Sequence, residues 1–505
     1  MVRSLPTPKQ MAAADEAAIA AGTPAEVLMD RAGRAVARAV LDVAGRRYGL
    51  QVVIVCGKGS NGGDGYVAAR ALARHGASVR VLAAGEVEPG TGATAHHLAA
   101  WKAAGGRVEP FAADGLDQAD VIVDALFGTG FRGPIEGEAA RLVEATNRSA
   151  AAVVAVDIPS GVDGTTGRCD GPCIAADITV AMGAQKVGTA IGDGAERAGT
   201  VIVADIGIPV SESVASLVDP LDVARELPDR ADDSHKRSSG TVLVLAGSDG
   251  MTGAALLTAR AAFRSGSGYV NLVSTRAVRA AAAEASPELV THAEESDVLG
   301  PEVLDRADAL VARADAVAIG PGLGTGEPQR LLVERVLKEI DVPVVTDADA
   351  LNAIAEDTSI LDRRSTPLVL TPHPAELGRL LGRDTTDVQA DRLTAVTESA
   401  HMFGSVVLLK GHRSLIAAPD GEVFVNPTGG PELATAGTGD VLTGATAAYL
   451  AAGLDPTTAT WASAYVHGAA GSLAAVRSGS IGVVAWDVAE NLGDAADRIV
   501  EGSWV

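Results

Sequence analysis

The segment Ala436-Gly437-Thr438-Gly439-Asp440-Val441-Leu442-Thr443-Gly444 decides how the second half of the chain folds. Two glycines and a threonine lead into an aspartate, and the apolar and small residues that follow can form a helix. Glycine leaves the backbone N–H groups of such a loop open to an anion, and the helix N-terminus adds positive dipole at the same point. Asp440 would then lie beside a bound phosphate and could take a proton from a substrate hydroxyl. A glycine-rich turn that ends in an ordinary N-cap aspartate is the alternative.

The rest of the second half alternates apolar runs, typical of buried parallel strands, with polar or glycine-rich turns. This pattern predicts a larger α/β domain whose strands end at one common edge, where open α/β sheets bind their ligands. A basic turn, a glycine loop and an aspartate at that edge are the parts of a nucleotide-phosphate site. The turns predicted there are Gly247–Ala255, Gly320–Gly324, Asp347–Asp349, Thr371–Glu376, Lys410–Ser414 and Asn426–Gly430.

Single residues at this edge have simpler interpretations. His373 lies between two prolines and could close a rigid turn. Lys410 and Arg413 could be surface charges, and Asp347 and Asp349 could cap helices. The order of six such motifs along one half of the chain favours a functional site over these alternatives.

The first half predicts a doubly wound parallel sheet of Rossmann-like type. Helices are expected over residues 9–44, with a break at Gly22-Thr23-Pro24. The apolar run Gln51–Val55 is typical of a buried strand, and a glycine-rich turn and a helix over Tyr66–Arg74 follow it. This turn is not GxGxxG, so the general dinucleotide fingerprint does not apply. The remaining strands are predicted at Ser78–Leu82, Val121–Asp124, Ala152–Val156, Ile178–Ala181 and Val201–Ala204.

Length, charge and cysteine content limit the classes of function. The 505 residues predict two domains, over 1–215 and 225–505, with a boundary near 213–226 in a polar segment. In that segment His235-Lys236 is expected in a solvated turn rather than at the lip of the second site. The net charge of −23 disfavours nucleic acid and anionic membrane as partners. Three cysteines, no signal-peptide pattern and no apolar run long enough to span a bilayer predict a cytoplasmic protein.

Three segments of the first half are both polar and glycine-rich, and each could alone be a tight turn. Together Ser60-Asn-Gly-Gly-Asp-Gly-Tyr66, Val123–Gly130 and Val156–Asp163 resemble the signature segments of the NAD(P)H-hydrate epimerases. Enzymes of that family interconvert the R and S forms of a hydrate at C6 of the nicotinamide ring. The resemblance implies that the hydrate contacts Asn61, Gly62, Gly63, Asp64, Gly65, Gly128, Thr129, Gly130, Phe131, Arg132, Gly133, Pro134 and Asp157.

The same resemblance implies a potassium ion, K⁺, held by Asn61, Asp124 and Ser160, whose oxygen atoms suit a hard cation. It also implies that Asp157 is the acid or base of the epimerisation. Lys186 follows another strand, and we expect it to be a solvated lysine rather than a ligand contact.

The second half resembles the ribokinase-like fold and, within it, the ADP- or ATP-dependent NAD(P)H-hydrate dehydratases. The resemblance rests on Gly320–Gly324, Thr371–Glu376, Leu409–His412 and Ala434–Asp440. One departure is Gly430-Pro-Glu432, where relatives usually have Asn-Pro and a small residue. The adenine-nucleotide contacts implied are Lys410, Gly411, His412, Arg413, Ser414 and Gly439, and the hydrate contacts implied are Ala254, Gly322, His373 and Asp440.

The two resemblances together imply one bifunctional repair enzyme that acts on the hydrates NADHX and NADPHX. The dehydratase half acts on the S form, with Mg²⁺ and ADP (our expectation) or ATP, and the epimerase half supplies that form from the R form. Asp440 would serve as the base that allows phosphorylation of the hydroxyl before phosphate is expelled. We also expect a homo-oligomer. A small-molecule kinase of ribokinase-like fold with a nucleotide-binding N-terminal module, and a first half that binds without turnover, are the alternatives.

Overall fold

A computed structural model of the chain describes residues 3–84, 92–111, 113–229, 239–294, 296–364 and 366–504. The chain divides into two compact units, one formed by Ser4–Ser216 and the other by Met1–Arg3 together with Leu217–Val505. His235 and Lys236 lie outside the described residues. Within the described ranges, no helix combines the length and the apolar character needed to cross a membrane.

The first unit is a parallel sheet with helices on both faces. The strands of this sheet are β2 (Gln51–Cys56), β3 (Ser78–Ala83), β4 (Val108–Pro110), β5 (Val121–Ala125), β6 (Ala152–Val156), β7 (Ile178–Met182) and β8 (Thr200–Ala204). Two short strands at the boundaries of the unit, β1 (Arg3–Leu5) and β9 (Ala215–Leu217), are not part of it. Its helices are α1 (Pro8–Ala20), α2 (Ala25–Ala44), α3 (Ser60–Arg74), α4 (Gly92–Ala103), α5 (Gly137–Arg148) and α6 (Gly192–Arg197).

The seven strands β2–β8 lie in the order β4-β3-β2-β5-β6-β7-β8, and all six neighbouring pairs are parallel. Alternate residues of β2 pack on opposite faces: Val52 and Ile54 belong to one apolar cluster, and Val53 and Val55 belong to another. Such burial on both faces explains why the strand is apolar throughout. The strand order reverses between β2 and β5, which places a ligand crevice at the carboxyl ends of these strands. The predicted doubly wound sheet is confirmed, with β4 as an additional short strand.

Helix α3 begins at Ser60 rather than at Tyr66, so the expected glycine-rich turn is in fact the first turn of the helix. The glycines there allow close packing. A Cβ added to Gly62 would lie 2.0 Å from the Gly57 carbonyl oxygen, and one added to Gly65 would lie 2.7 Å from Cys56 Sγ. Helix α3 therefore lies directly against the end of β2, and its N-terminus points to the crevice.

The second unit is a larger α/β structure. Its strands are β10 (Thr241–Leu245), β11 (Tyr269–Thr275), β12 (Val290–Glu294), β13 (Ala316–Ile319), β14 (Val344–Thr346), β15 (Leu368–Leu370), β16 (Val406–Leu409), β17 (Leu415–Ala417) and β18 (Val423–Val425). Its helices are α7 (Pro220–Glu226), α8 (Thr252–Arg264), α9 (Arg276–Ala285), α10 (Val303–Arg306), α11 (Asp308–Val311), α12 (Glu327–Glu339), α13 (Asp349–Glu356), α14 (Pro374–Leu381), α15 (Thr385–Ala390), α16 (Arg392–Phe403), α17 (Thr438–Ala451), α18 (Pro456–Ser478) and α19 (Ala485–Val500).

These nine strands follow the order β18-β17-β16-β15-β14-β13-β10-β11-β12. The pairs from β16 to β12 are parallel, and β16, β17 and β18 form antiparallel hairpins. Helix α17 is buried along most of its length and packs against α8, where a Cβ added to Gly444 would lie 2.1 Å from the Thr258 carbonyl oxygen. The small residues after Asp440 therefore allow two helices to pack closely beside the sheet edge.

Candidate active sites

A cavity of about 900 Å³ lies at the carboxyl ends of β2, β5 and β6 in the first unit. Several of the predicted hydrate contacts line it: Asn61, Asp64, Gly128, Thr129, Gly130, Phe131 and Asp157. The remaining ones support its walls or lie outside it. Gly62, Gly63 and Gly65 are buried in the first turn of α3, and Arg132, Gly133 and Pro134 are exposed at the end of the loop after β5.

The three predicted K⁺ ligands form one hydrogen-bonded network. Ser160 donates to both carboxylate oxygens of Asp124, from its backbone N–H at 2.8 Å and from its hydroxyl at 2.6 Å. Asn61 Nδ2 donates to the carbonyl oxygens of Phe127 and Val156, at 2.9 and 2.8 Å. Burial raises the pKa of Asp124 to about 6, although the hydrogen bonds from Ser160 oppose the rise. The network thus concentrates carboxylate, amide, hydroxyl and carbonyl oxygens beside the cavity.

Asp157 lies at the end of β6 in an unusual backbone conformation, with φ at 67°. A non-glycine residue in this region costs of order 1–3 kcal/mol, which is most often met at functional sites. Its Oδ1 accepts a hydrogen bond from Met182 N at 2.9 Å and forms an ion pair with the Lys186 ammonium. The conformation and these two donors fix the carboxylate at the cavity wall.

The expectation of a solvated Lys186 is wrong. Its side chain is 1% exposed, lines the cavity and donates to Asp157 and to the Met182 carbonyl oxygen. A lysine this deeply buried needs a paired carboxylate. The signal in the sequence was its position shortly after the end of strand β7. A single sequence does not distinguish such a lysine from an ordinary surface lysine.

Two further carboxyl groups face the same cavity. Asp64, in α3, is 8% exposed, and burial followed by the negative charges of Asp157 and Asp15 raises its pKa well above the usual range. The half-buried Asp15 of α1 also has a raised pKa, mainly because of burial. Lys186 lowers both pKa values but is paired with Asp157.

In the second unit, Asp440 lies in the first turn of α17, after Gly437, whose φ of 93° starts the helix. Asp440 is therefore not the N-cap residue. Burial raises the pKa of Asp440 to about 7, the charges of Asp347 and Asp349 add to the rise, and Lys410 opposes it. Its carboxyl thus changes charge close to neutral pH.

Lys410, at the end of β16, forms an ion pair with Asp347, at the end of β14, with Nζ 2.5 Å from Oδ1. The other Asp347 oxygen accepts a hydrogen bond from the Thr443 hydroxyl of α17 at 2.8 Å. A Cβ added to Gly439 would lie 3.2 Å from Lys410 Nζ, so the ammonium lies against the glycine loop. Lys410 is therefore not a surface charge, and Asp347 is not a helix cap. The sequence predicted the Asp347–Asp349 turn at this edge but did not identify Asp347 as the partner of Lys410.

The turn Lys410–Ser414 joins β16 to β17 and is held from outside. Arg392 of α16 donates to the carbonyl oxygens of His412 at 2.7 Å and of Lys410 at 3.4 Å. Arg413 adopts a φ of 55° and donates to the Pro427 carbonyl oxygen at 2.8 Å, and Ser414 donates to Gly411. No motif in the sequence pointed to Arg392, because its role depends on tertiary packing.

The remaining predicted hydrate contacts lie on neighbouring strand ends. A Cβ added to Gly322 would lie 3.0 Å from Ala254 Cβ, and its φ of 59° favours glycine. His373 begins α14, where its Nδ1 accepts hydrogen bonds from Ala375 N and Glu376 N. His373 therefore closes the turn before the helix, with Nε2 3.3 Å from Glu376 Oε1, and its contact with the hydrate stays a prediction.

Two features beneath the glycine loop support its shape. Burial lowers the pKa of His467 to about 4, and its Nε2 lies 2.9 Å from the Thr438 carbonyl oxygen. At the departure Gly430-Pro-Glu432, the buried Glu432 carboxylate accepts hydrogen bonds from Gly430 N and Ser472 Oγ. The unusual glutamate is thus held by its own loop and by helix α18. Among the residues described, no three His, Cys, Asp or Glu side chains are grouped to hold a metal ion.

Comparison with known proteins gives matches over both units. A model of the YjeF-related protein N-terminus family matches residues 25–188, and a model of NAD(P)H-hydrate dehydratases matches residues 242–493. A bifunctional NAD(P)H-hydrate repair enzyme of Moorella thermoacetica is 40% identical over 487 residues, which cover 93% of this chain and 92% of that protein.

Two solved structures resemble the second unit. A ribokinase-like superfamily protein of Enterococcus faecalis has a TM-score of 0.50 at 24% identity. The match covers 58% of this chain and 99% of that protein, and it shows the fold. An ADP/ATP-dependent NAD(P)H-hydrate dehydratase of Bacillus subtilis, co-crystallised with ATP and Mg²⁺, is 34% identical with a TM-score of 0.49. The match covers 56% of this chain and 97% of the Bacillus subtilis protein.

Proposed function

The chain belongs to the family of bifunctional NAD(P)H-hydrate repair enzymes, and we propose that its two units catalyse consecutive steps of one repair. The first unit interconverts the R and S hydrates of NADH and NADPH at C6. The second unit removes water from the S hydrate with the help of ADP or ATP. The grouping of Asp440, Lys410 and Asp347 at the N-terminus of α17 is the observation on which this proposal rests.

The dehydratase step begins with transfer of the terminal phosphoryl group of the nucleotide to the C6 hydroxyl. As the new O–P bond forms, the hydroxyl proton passes to Asp440, the P–O bond to the rest of the nucleotide breaks, and the shortened nucleotide leaves with that electron pair. The C6–O bond then breaks and phosphate leaves with the bonding electron pair, while the departing phosphate takes a proton from C5 and the C5–H electron pair forms the C5=C6 double bond. Lys410 and the N–H groups at the start of α17 stabilise the negative charge of the transferring group.

The nucleotide side of this site is supported by the turn Lys410–Ser414. Arg392 holds the carbonyl groups of the turn, which leaves the Lys410 ammonium directed to the glycine loop. Mg²⁺ would enter with the phosphates and neutralise their charge. We keep ADP as the expected phosphoryl donor.

The epimerase step uses the cavity of the first unit. The Asp157 carboxylate, held at the cavity wall by its ion pair with Lys186, can accept a proton from a hydroxyl or a water at C6. Asn61, Asp124 and Ser160 supply oxygen atoms of the kind that bind K⁺, and the buried Asp124 carboxylate has only neutral hydrogen-bond donors among the described residues. The donor set therefore fits K⁺, which would fix this wall of the cavity.

Recovery of the near-ultraviolet absorbance of the reduced nicotinamide tests both activities in one experiment. Full-length protein is mixed with R and S hydrate, K⁺, Mg²⁺ and either nucleotide. A fast phase equal to the S fraction and a slower phase that completes the recovery are expected. Recovery that stops at the S fraction, or a stable phosphorylated hydrate in place of free phosphate, would contradict the proposal for the first or the second unit.

The cellular setting is also proposed. All three cysteines are free thiols, which fits a reducing compartment such as the cytoplasm. Val476, Ile481 and Val484 expose apolar side chains around the connection between α18 and α19, which favours a homo-oligomer. Light scattering of the purified chain would show whether it is monomeric.

A further inference from the structure

Asp64 is a buried acid at the wall of the epimerase cavity. Its side chain lies among the lining groups, and the residue is 8% exposed. Within the described parts of the chain its carboxyl group forms no hydrogen bond and no ion pair. Buried polar groups normally have partners, so such a carboxyl facing an open cavity indicates a ligand contact.

The charges around this cavity separate the two central carboxyl groups. Lys186 pairs with Asp157 and compensates the negative charge of that carboxylate. The groups that face Asp64 are Asp157, Asp15, Lys186 and the thiol of Cys56. Only one of these is cationic and it is already paired, so a second carboxylate there would be buried without compensation. Burial and the negative charges of Asp157 and Asp15 therefore raise the pKa of Asp64 well above its usual range, so its carboxyl holds a proton more tightly than an ordinary aspartate does.

We propose that Asp64 is the proton donor to the C6 hydroxyl during epimerisation, with Asp157 as the proton acceptor. This inference rests on the proposed function of the first unit. A protonated carboxyl and an ionised one in the same cavity form an acid–base pair for the removal and return of water.

The proposed steps are as follows for one direction. Asp64 gives its proton to the C6 hydroxyl, the C6–O bond breaks, and water leaves with the bonding pair while the lone pair of the ring nitrogen N1 forms an N1=C6 bond. Water then adds to the other face of C6 and the electron pair of the N1=C6 bond returns to N1. The added water gives a proton to Asp157. A turnover in the opposite direction, or exchange with solvent, restores both carboxyl groups.

The test compares Asp64→Asn and Asp64→Glu in the full-length protein, with R-enriched hydrate, K⁺, Mg²⁺ and ADP. In Asp64→Asn the slow phase of absorbance recovery should fall by roughly 10²-fold or more, because the amide cannot release a proton. The fast phase reports on the second unit and should not change. Asp42→Asn, an exposed position on α2, is the matched control.

The pH profile separates proton donation from a structural role. The slow phase of the wild type should decline at alkaline pH as Asp64 ionises, and this decline should vanish in Asp64→Asn and shift in Asp64→Glu. Wild-type slow-phase rates in Asp64→Asn, or an alkaline decline that Asp64→Glu leaves in place, would overturn the inference. If Asp64→Asn does not fold, Asp64→Glu alone decides. A wild-type slow phase no faster than spontaneous epimerisation would instead refute the proposed epimerase function.

Discussion

Replacement of Asp440 by asparagine should abolish dehydration and at the same time stabilise the second unit. A positioned general base contributes about 10²–10⁴-fold to the rate, which corresponds to about 3 to 5 kcal/mol of transition-state stabilisation. Asparagine has nearly the same shape but cannot accept the proton. The fast phase of absorbance recovery should therefore slow by that factor, with nucleotide binding retained.

The stability change follows from the pKa of Asp440, which folding raises from 3.8 to about 7. Between these values the folded state binds more protons than the unfolded state, so stability falls as pH rises through this range. Above pH 7 the ionised carboxylate costs up to roughly 4 kcal/mol, and asparagine removes that cost. Thermal unfolding at pH 8 should therefore occur at a higher temperature in Asp440→Asn than in the wild type.

Activity of the wild type should depend on the same ionisation. Below pH 7 the fast phase should slow by about tenfold per pH unit, because Asp440 must be ionised to act as a base. Asp455→Asn, at the N-cap of α18, is a control because asparagine caps helices as well as aspartate does. Near-wild-type turnover in Asp440→Asn, or a fast phase that stays constant between pH 5 and 7, would refute the assignment.

Three further substitutions test the two lysines and the glycine loop. Lys186→Met should slow the slow phase by about 10²-fold, because Asp157 loses its counter-charge, whereas Lys102→Met at an exposed site should have no effect. Lys410→Met should lower the unfolding free energy by about 3–5 kcal/mol, because it leaves Asp347 buried and unpaired. The double variant with Asp347→Asn should recover that stability without recovering turnover. Gly439→Ala should raise the KM for nucleotide by roughly tenfold or more with an unchanged melting temperature, because its Cβ would lie 3.2 Å from Lys410 Nζ.

Sequence periodicity was sufficient to predict most of the helices and strands that carry the site residues. The predicted break between the first two helices matches the end of α1 at Ala20 and the start of α2 at Ala25. The buried strands were found because they are apolar on both faces and end in polar turns. The start of α3 was placed too late, because glycines in its first turn suggested a loop. They are there for close packing against β2, which a single sequence does not distinguish from a turn.

The parts of the sites that the sequence could not supply are those formed by pairing across strands. The sequence identified Asp157 and Lys410 but not the partner of either, since Lys186 is 29 residues from Asp157 and Asp347 is 63 residues from Lys410. Neither spacing is a motif, and a charged residue after a strand is most often solvated. Only the parallel register, which brings the strand ends to one edge, joins the members of each pair.

The two sites share one electrostatic arrangement with opposite consequences for pH. In each, a lysine pairs with one strand-end aspartate, Asp157 or Asp347, and a second aspartate near the start of a helix, Asp64 or Asp440, forms no ion pair with any described residue. The pKa of that second carboxyl is raised in both, to about 7 for Asp440 and well above the usual range for Asp64. Dehydration requires Asp440 ionised, whereas our inference requires Asp64 protonated. Acid should therefore limit the fast phase, whereas the slow phase should fall as the pH rises through the raised pKa of Asp64, and Asp64→Asn should remove that fall while leaving the acid limit of the fast phase in place.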